Sequence, residues 1–123
     1  MELAVPCEVA ARDLLPAIRS LIAERLIREK NLSIYKASTI MNLTPAALSN
    51  YLKGRRGSTM KNILIKDERF MNKLDEAVDS LLTGKGNIVI ILCSLCTEGR
   101  RVLNKYGYNI GSCAYELTQS SFF

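Results

Sequence analysis

The pair Thr44-Pro45 constrains the centre of this chain more than any other feature. A threonine hydroxyl caps a helix by accepting from an amide of its first turn. Proline is best tolerated at the first helical position, where its missing N–H costs nothing. The pair therefore predicts a helix start. Two residues earlier, Asn42 stands where a chain leaving another helix needs positive φ, a conformation glycine adopts most easily and asparagine next. Further back, Ser33 reads as an N-cap, and Ile34, Ala37, Ile40 and Met41 form an apolar stripe at helical spacing. Residues 33–57, SIYKASTIMNLTPAALSNYLKGRRG, thus read as helix, turn, helix. The first runs from Ser33 to about Met41 and Leu43 plugs the corner. The second runs from Thr44 to Gly54, a C′ glycine.

The faces of the second helix give the functional reading. Leu48, Tyr51 and Leu52 turn inward onto Ala37, Ser38 and Met41. Pro45, Ala46, Ser49, Asn50 and Lys53 fall on the opposite face at i, i+3, i+4 spacing. They are small or polar, as a helix entering a DNA major groove requires. Arg55 and Arg56 follow on a glycine-flanked loop suited to phosphates. The expected DNA-contacting set is Thr44, Pro45, Ala46, Ser49, Asn50, Lys53, Arg55 and Arg56.

This stretch resembles the lambda-repressor/Cro-type helix-turn-helix. More narrowly, it is similar to a group of small archaeal transcriptional regulators whose DNA-binding segment also occurs fused ahead of a thiamine-phosphate synthase domain. The resemblance is carried by Pro6-Cys7-Glu8, by Leu15 to Arg19 (LPAIR), by Thr44 to Leu52 (TPAALSNYL), by Gly54-Arg55-Arg56-Gly57 and, late in the chain, by Cys93-Ser94-Leu95-Cys96. It is good over residues 6–57 and weaker beyond. Asn42 stands in place of the group's turn glycine. Pro45 stands in place of a glutamine, which removes a base-reading amide. The resemblance implies an all-α, lambda-repressor-like bundle with a C-terminal helical extension. It divides the chain into residues 1–60, a helix-turn-helix DNA-binding domain, and residues 61–123, a helical region for dimerisation or a cysteine site.

Charge and hydropathy fit that reading. The formal charge of +5 suits a polyanionic partner, and 48% hydrophobic residues indicate a folded chain with a real core. The longest apolar run, 88–93, is too short to span a membrane, and the first residues carry an acid where a secretory signal needs basic ones. A cytoplasmic protein is expected. There is no histidine, and no paired carboxylates, nucleophile elbow or phosphate loop stand out, so no enzyme is expected; Gly84-Lys85-Gly86 reads as a turn.

Elsewhere, Pro6 opens a helix through about Leu14, and Pro16 forces a kink or a new start. Ile18, Leu21, Ile22, Arg25 and Leu26 predict an amphipathic helix from Leu15 to Lys30, with Glu24–Arg28 support, bracing the helix-turn-helix from behind. Residues 58–66 read as a connector of weak helical or extended character, from which Lys61 and Lys66 either reach phosphate or form a solvated face. Asp67 to about Leu82 predicts a helix with Phe70, Met71, Leu74, Val78, Leu81 and Leu82 on one side. Residues 88–106 carry a β-branched start yet keep helical spacing, and a helix interrupted near Gly99 is favoured. Residues 108–123 show no clear period, apart from a short helix at 113–119.

Four cysteines, Cys7, Cys93, Cys96 and Cys113, leave three readings open. The C-x-x-C spacing lets two thiolates grip one metal, and without histidine a complete site would be all thiolate, suited to zinc or an iron–sulfur cluster. The others are plain buried thiols and a disulfide. The function expected is a sequence-specific DNA-binding regulator, acting as a homodimer on double-stranded DNA. The alternative is a protein–protein interaction module with a merely structural helix-turn-helix.

Overall fold

A computed structural model describes residues 14–53 and 58–107, with Ser58 described by its backbone alone. Every secondary-structure element among these residues is a helix, so the fold class is all-α. The elements are α1 (Leu15–Glu24), running on into a π-helical turn (Arg25–Glu29), α2 (Ile34–Ile40), α3 (Pro45–Lys53), α4 (Ser58–Leu64), α5 (Glu68–Leu82) and α6 (Ile88–Lys105).

The central helix is α1. Pro16 sits in its first turn, where a proline breaks no hydrogen bond. Pro16, Ala17, Ile18, Ser20, Leu21, Ile22 and Ala23 are all buried. The amphipathic brace expected from sequence is therefore buried on most sides, packed against α3, α4 and α6. Its buried hydroxyl, Ser20 Oγ, accepts from Lys61 Nζ of α4 at 3.2 Å, and Lys61 also pairs with Glu24. The Glu24–Arg28 pair forms as expected, at 3.1 Å. Lys61 is thus committed inward, and of the two lysines on 58–66 only Lys66 remains exposed without an ion pair among the described residues.

The π-helical turn was not legible in the sequence. Lys30 donates to Arg25 O at 3.1 Å, one residue wider than an α-helical bond, and Leu32 N–H reaches Leu26 O at 3.1 Å across Asn31 at φ 58°. Of the weak helical or extended character expected for 58–66, the helical alternative holds over Ser58–Leu64. Leu64 is fully buried, so tertiary packing supplies what seven residues of local propensity do not.

α5 starts where expected. Asp67 Oδ1 caps it by accepting from the Phe70 amide at 2.7 Å, and Phe70, Leu74, Val78 and Leu81 are buried. Of the expected apolar side, Met71 is half-buried and Leu82 exposed. Gly84 ends the α5 turn at φ 74°, letting Lys85 N–H reach Ser80 O at 3.0 Å. α6 is one uninterrupted helix, which corrects the expected break near Gly99. Asn87 Oδ1 accepts from the amides of Val89 and Ile90 at 2.9 and 3.2 Å, committing the β-branched start to helix. Gly99 serves packing: a Cβ there would lie 3.0 Å from Leu14 Cδ1.

A single hydrophobic core joins all six helices, with Ile18 and Leu26 at the α1 side, Leu48 of α3, Leu64 of α4, Phe70 of α5 and Leu103 of α6. Residues from both sides of position 60 share it. At the α5–α6 contact, Asp67 also receives Arg101 Nη2 at 3.0 Å and lies 3.4 Å from Lys105 Nζ, and Arg101 pairs with Glu98 at 3.0 Å. Burial alone would raise the Asp67 pKa, but the Phe70 amide, Arg101 and Lys105 outweigh it and hold the carboxyl below its ordinary value of 3.8. No helix among the described residues is long and apolar enough to cross a membrane.

Candidate nucleic-acid interface

The geometry of the α2–α3 unit follows from its caps. Ser33 Oγ accepts from Lys36 N–H at 3.1 Å and opens α2. At its other end Asn42 adopts φ 58°, the conformation its position called for. That left-handed residue lets Leu43 N–H bond Ser38 O at 2.8 Å and Asn42 N–H bond Thr39 O at 3.1 Å, so the last carbonyls of α2 are satisfied within the turn. Leu43 packs against the core and fixes the corner. Thr44 Oγ1 then accepts from Ala47 N–H at 3.1 Å, and Pro45 is the first residue of α3.

Packing decides which face of α3 remains outside. Leu48 is fully buried, and Leu52 is half-buried against the core. Ala37, Ser38 and Met41, the expected inward partners, are all buried, and α2 packs on α3. Tyr51 also turns inward, toward α1: Arg19 Nη1 donates to Tyr51 Oη at 3.3 Å, with the guanidinium carbon 5.8 Å from the ring centroid. The expected outer face is placed as follows. Thr44, Ala46, Asn50 and Lys53 are exposed, and Pro45 and Ser49 are half-buried. These six share one helix and its cap. Arg55 and Arg56, together with Gly54, lie outside the described residues.

Two further features of this region lie outside the helix-turn-helix pattern. The first is the Arg19–Tyr51 contact, which spans 32 residues of sequence and has no local signature. The second was readable but is easily overlooked: between Glu29 and Asp67 the chain has seven basic residues and no acidic one. Outside that span the ten remaining basic residues face all twelve acidic ones. Two lysines of the span reach carboxylates outside it, Lys30 at Asp79 and Lys61 at Glu24. Arg25, Arg28, Arg69, Arg101 and Lys105 each pair with a carboxylate, while Lys36 of α2 and Lys53 of α3, both exposed, have no ion pair among the described residues. Tyr35, 74% exposed beside Lys36, adds an aromatic ring to this surface.

The cysteines are separate from it. Cys93 is half-buried and Cys96 buried on α6, three residues apart and so neighbours along one side of the helix. Arg100 Nη1 donates to Cys96 Sγ at 3.1 Å. Cys7 and Cys113 lie outside the described residues, and among those described no three metal-ligating side chains come together. Two thiols supply half of a four-thiolate site.

Comparison with known proteins adds no assignment: no family model, curated protein or solved structure matches this chain.

Proposed function

We propose that this chain is a sequence-specific, double-stranded-DNA-binding transcriptional regulator of the cytoplasm, built as a lambda-repressor-like bundle with α2 and α3 as its helix-turn-helix. The observation that carries the reading is the outer face of α3: Ala46, Asn50 and Lys53 are exposed on a helix anchored by Leu48, within a span free of acidic residues. An α-helix fits the major groove when its outward side chains are small or polar. Asn50 can pair with adenine through two hydrogen bonds, Ser49 can bond a base edge, and Ala46 can meet a thymine methyl. Lys53 also faces the bases, and Arg55 and Arg56 supply charge for the backbone. One such helix buries too little surface for tight specific binding, so the working form is a homodimer on a palindromic site. The reading gives the chain no catalytic step. Any zinc or iron–sulfur cluster would draw on Cys7, Cys93, Cys96 and Cys113 and stand apart from the DNA-contacting residues.

The test is a mobility-shift titration with random and selected duplexes. Binding that favours the selected duplex is expected, with Asn50→Ala losing about 1–3 kcal/mol of discrimination at one base pair. Arg55→Ala should weaken all sequences alike and lower the salt slope by about 1. No binding at low salt, or binding indifferent to sequence, removes the regulator reading.

A second reading, a protein–protein interaction module, is favoured by exposed apolar side chains at the end of α5 and the start of α6, where Val89 is 62% and Ile90 58% exposed and Leu82 is also exposed. Retention on heparin beyond that of a charge-matched control protein separates the two readings in favour of DNA.

A further inference from the structure

Arg19 differs in its partner from Arg25, Arg28, Arg69 and Arg101. Arg25, Arg28, Arg69 and Arg101 each pair with a carboxylate, whereas half-buried Arg19 meets no acidic group among the described residues. A guanidinium partly withdrawn from water loses hydration that something must replace. Its described partner is Tyr51, through the hydroxyl at 3.3 Å and the ring at 5.8 Å. Among the described residues this is the hydrogen bond that joins α1 to α3.

We propose that Arg19, acting through the hydroxyl of Tyr51, fixes the roll of α3 about its own axis and thereby sets the aim of Asn50 at its base. The proposal rests on the DNA-binding reading above. The remaining inward anchors of α3, Leu48 and Leu52, are apolar. Packing of Leu48 and Leu52 decides which face of α3 lies inward, but apolar contact is not directional and leaves the finer roll less defined. A hydrogen bond to a hydroxyl on the flank of the helix is directional and does define it. Tyr51 is the residue next to Asn50, about 100° further round the helix. At the outer radius of a helix, about 5–6 Å, a roll of about 20° moves a side-chain tip by about 2 Å. That displacement breaks a base-edge hydrogen bond, which tolerates only a few tenths of an ångström. A phosphate contact from a long, rotatable lysine absorbs it. Arg19 is therefore a positioning residue, and its loss should separate specificity from general affinity.

The experiment compares wild type, Arg19→Met and Tyr51→Phe by titration against a selected and a random duplex over a range of salt concentrations. Arg19→Met keeps the length of the side chain without its donors, and Tyr51→Phe keeps the ring and removes only the hydroxyl. Each variant is expected to lose about tenfold in preference for the selected duplex, within the range of one misaligned base contact. Affinity for random DNA and its salt slope should stay as in wild type. The double variant should be no worse than either single one, because the two side chains act as one device. Unchanged preference in the variants of a discriminating wild type overturns this proposal alone. So does a salt slope lowered by about 1 with equal loss on both duplexes, which marks Arg19 as a phosphate contact. A wild type that binds both duplexes equally overturns the regulator reading, and this proposal with it.

Discussion

The Asp67 carboxylate does two things that substitution can separate. It caps α5 through the Phe70 amide, and it ties α5 to α6 through Arg101 and Lys105. Its side chain is only 9% exposed, so solvent screens these contacts weakly. Lys105 is 58% exposed and contributes little, which leaves Arg101 as the main charged partner. Asparagine caps helices about as well as aspartate, so Asp67→Asn keeps the cap and removes the charge. A hydrogen bond to a charged group contributes about 1.5–3 kcal/mol and a neutral one about 0.5–1.5, so the expected loss is about 1–2 kcal/mol near pH 7. Asp67→Ala loses the cap as well and should cost about 1 kcal/mol more. The pH dependence has a definite sign. The folded-state pKa lies below the ordinary 3.8, so the unfolded chain binds the proton first as pH falls. The stabilisation is present above that value and is lost as pH drops through the lower, folded pKa. Urea unfolding from about pH 7 down to about pH 3 measures this as the difference between wild type and Asp67→Asn, a comparison that cancels the other carboxylates. The gap between the two stabilities should narrow as pH falls below 3.8. Parallel curves, or an Asp67→Asn protein as stable as wild type at neutral pH, would refute the assignment.

Other substitutions probe the remaining links. Leu48→Ala removes the fully buried anchor of α3 and should cost about 2–5 kcal/mol in urea unfolding, with loss of duplex binding at temperatures where the protein is still folded. Gly99→Val puts a Cβ 3.0 Å from Leu14 Cδ1 with two methyls beyond it, and should destabilise by about 1–3 kcal/mol in the same assay. Metal analysis and a visible spectrum of anaerobically purified protein test the cysteines. If they hold an iron–sulfur cluster, colour and bound iron should be present in wild type and absent in Cys93→Ser; a metal-free wild type would exclude resident zinc or iron from this preparation.

The parts of the fold legible in the sequence are those fixed by nearest neighbours. Ser33, Asn42, Thr44 and Pro45 act on backbone groups at most five residues away, so their identities predicted the caps and the turn, and the α2–α3 unit follows directly. The α5 stripe was legible because four apolar residues recur at helical spacing. What could not be read depends on distant partners. α4 is too short to announce itself and relies on Leu64 burial and the Lys61–Glu24 pair. Gly99 looked like a helix breaker because its reason, Leu14, lies 85 residues away in the chain. The outer face of α3 was legible from period alone, whereas the Arg19–Tyr51 contact on its inner side was not.

The division of charge along the chain has a kinetic consequence. Glu24, Asp67, Asp75, Asp79 and Glu98 each meet a cation, and the span from Lys30 to Lys66 carries seven basic residues and no acid of its own. The chain is therefore a lopsided charge distribution, strongly positive over one third of its length and slightly negative over the rest. Near a polyanion such a molecule feels a torque before it makes contact. On the DNA-binding reading, collisions then become biased toward α2 and α3, and fewer encounters are unproductive. The gain appears in the association rate and fades as added salt shortens the reach of the field to about 10 Å or less.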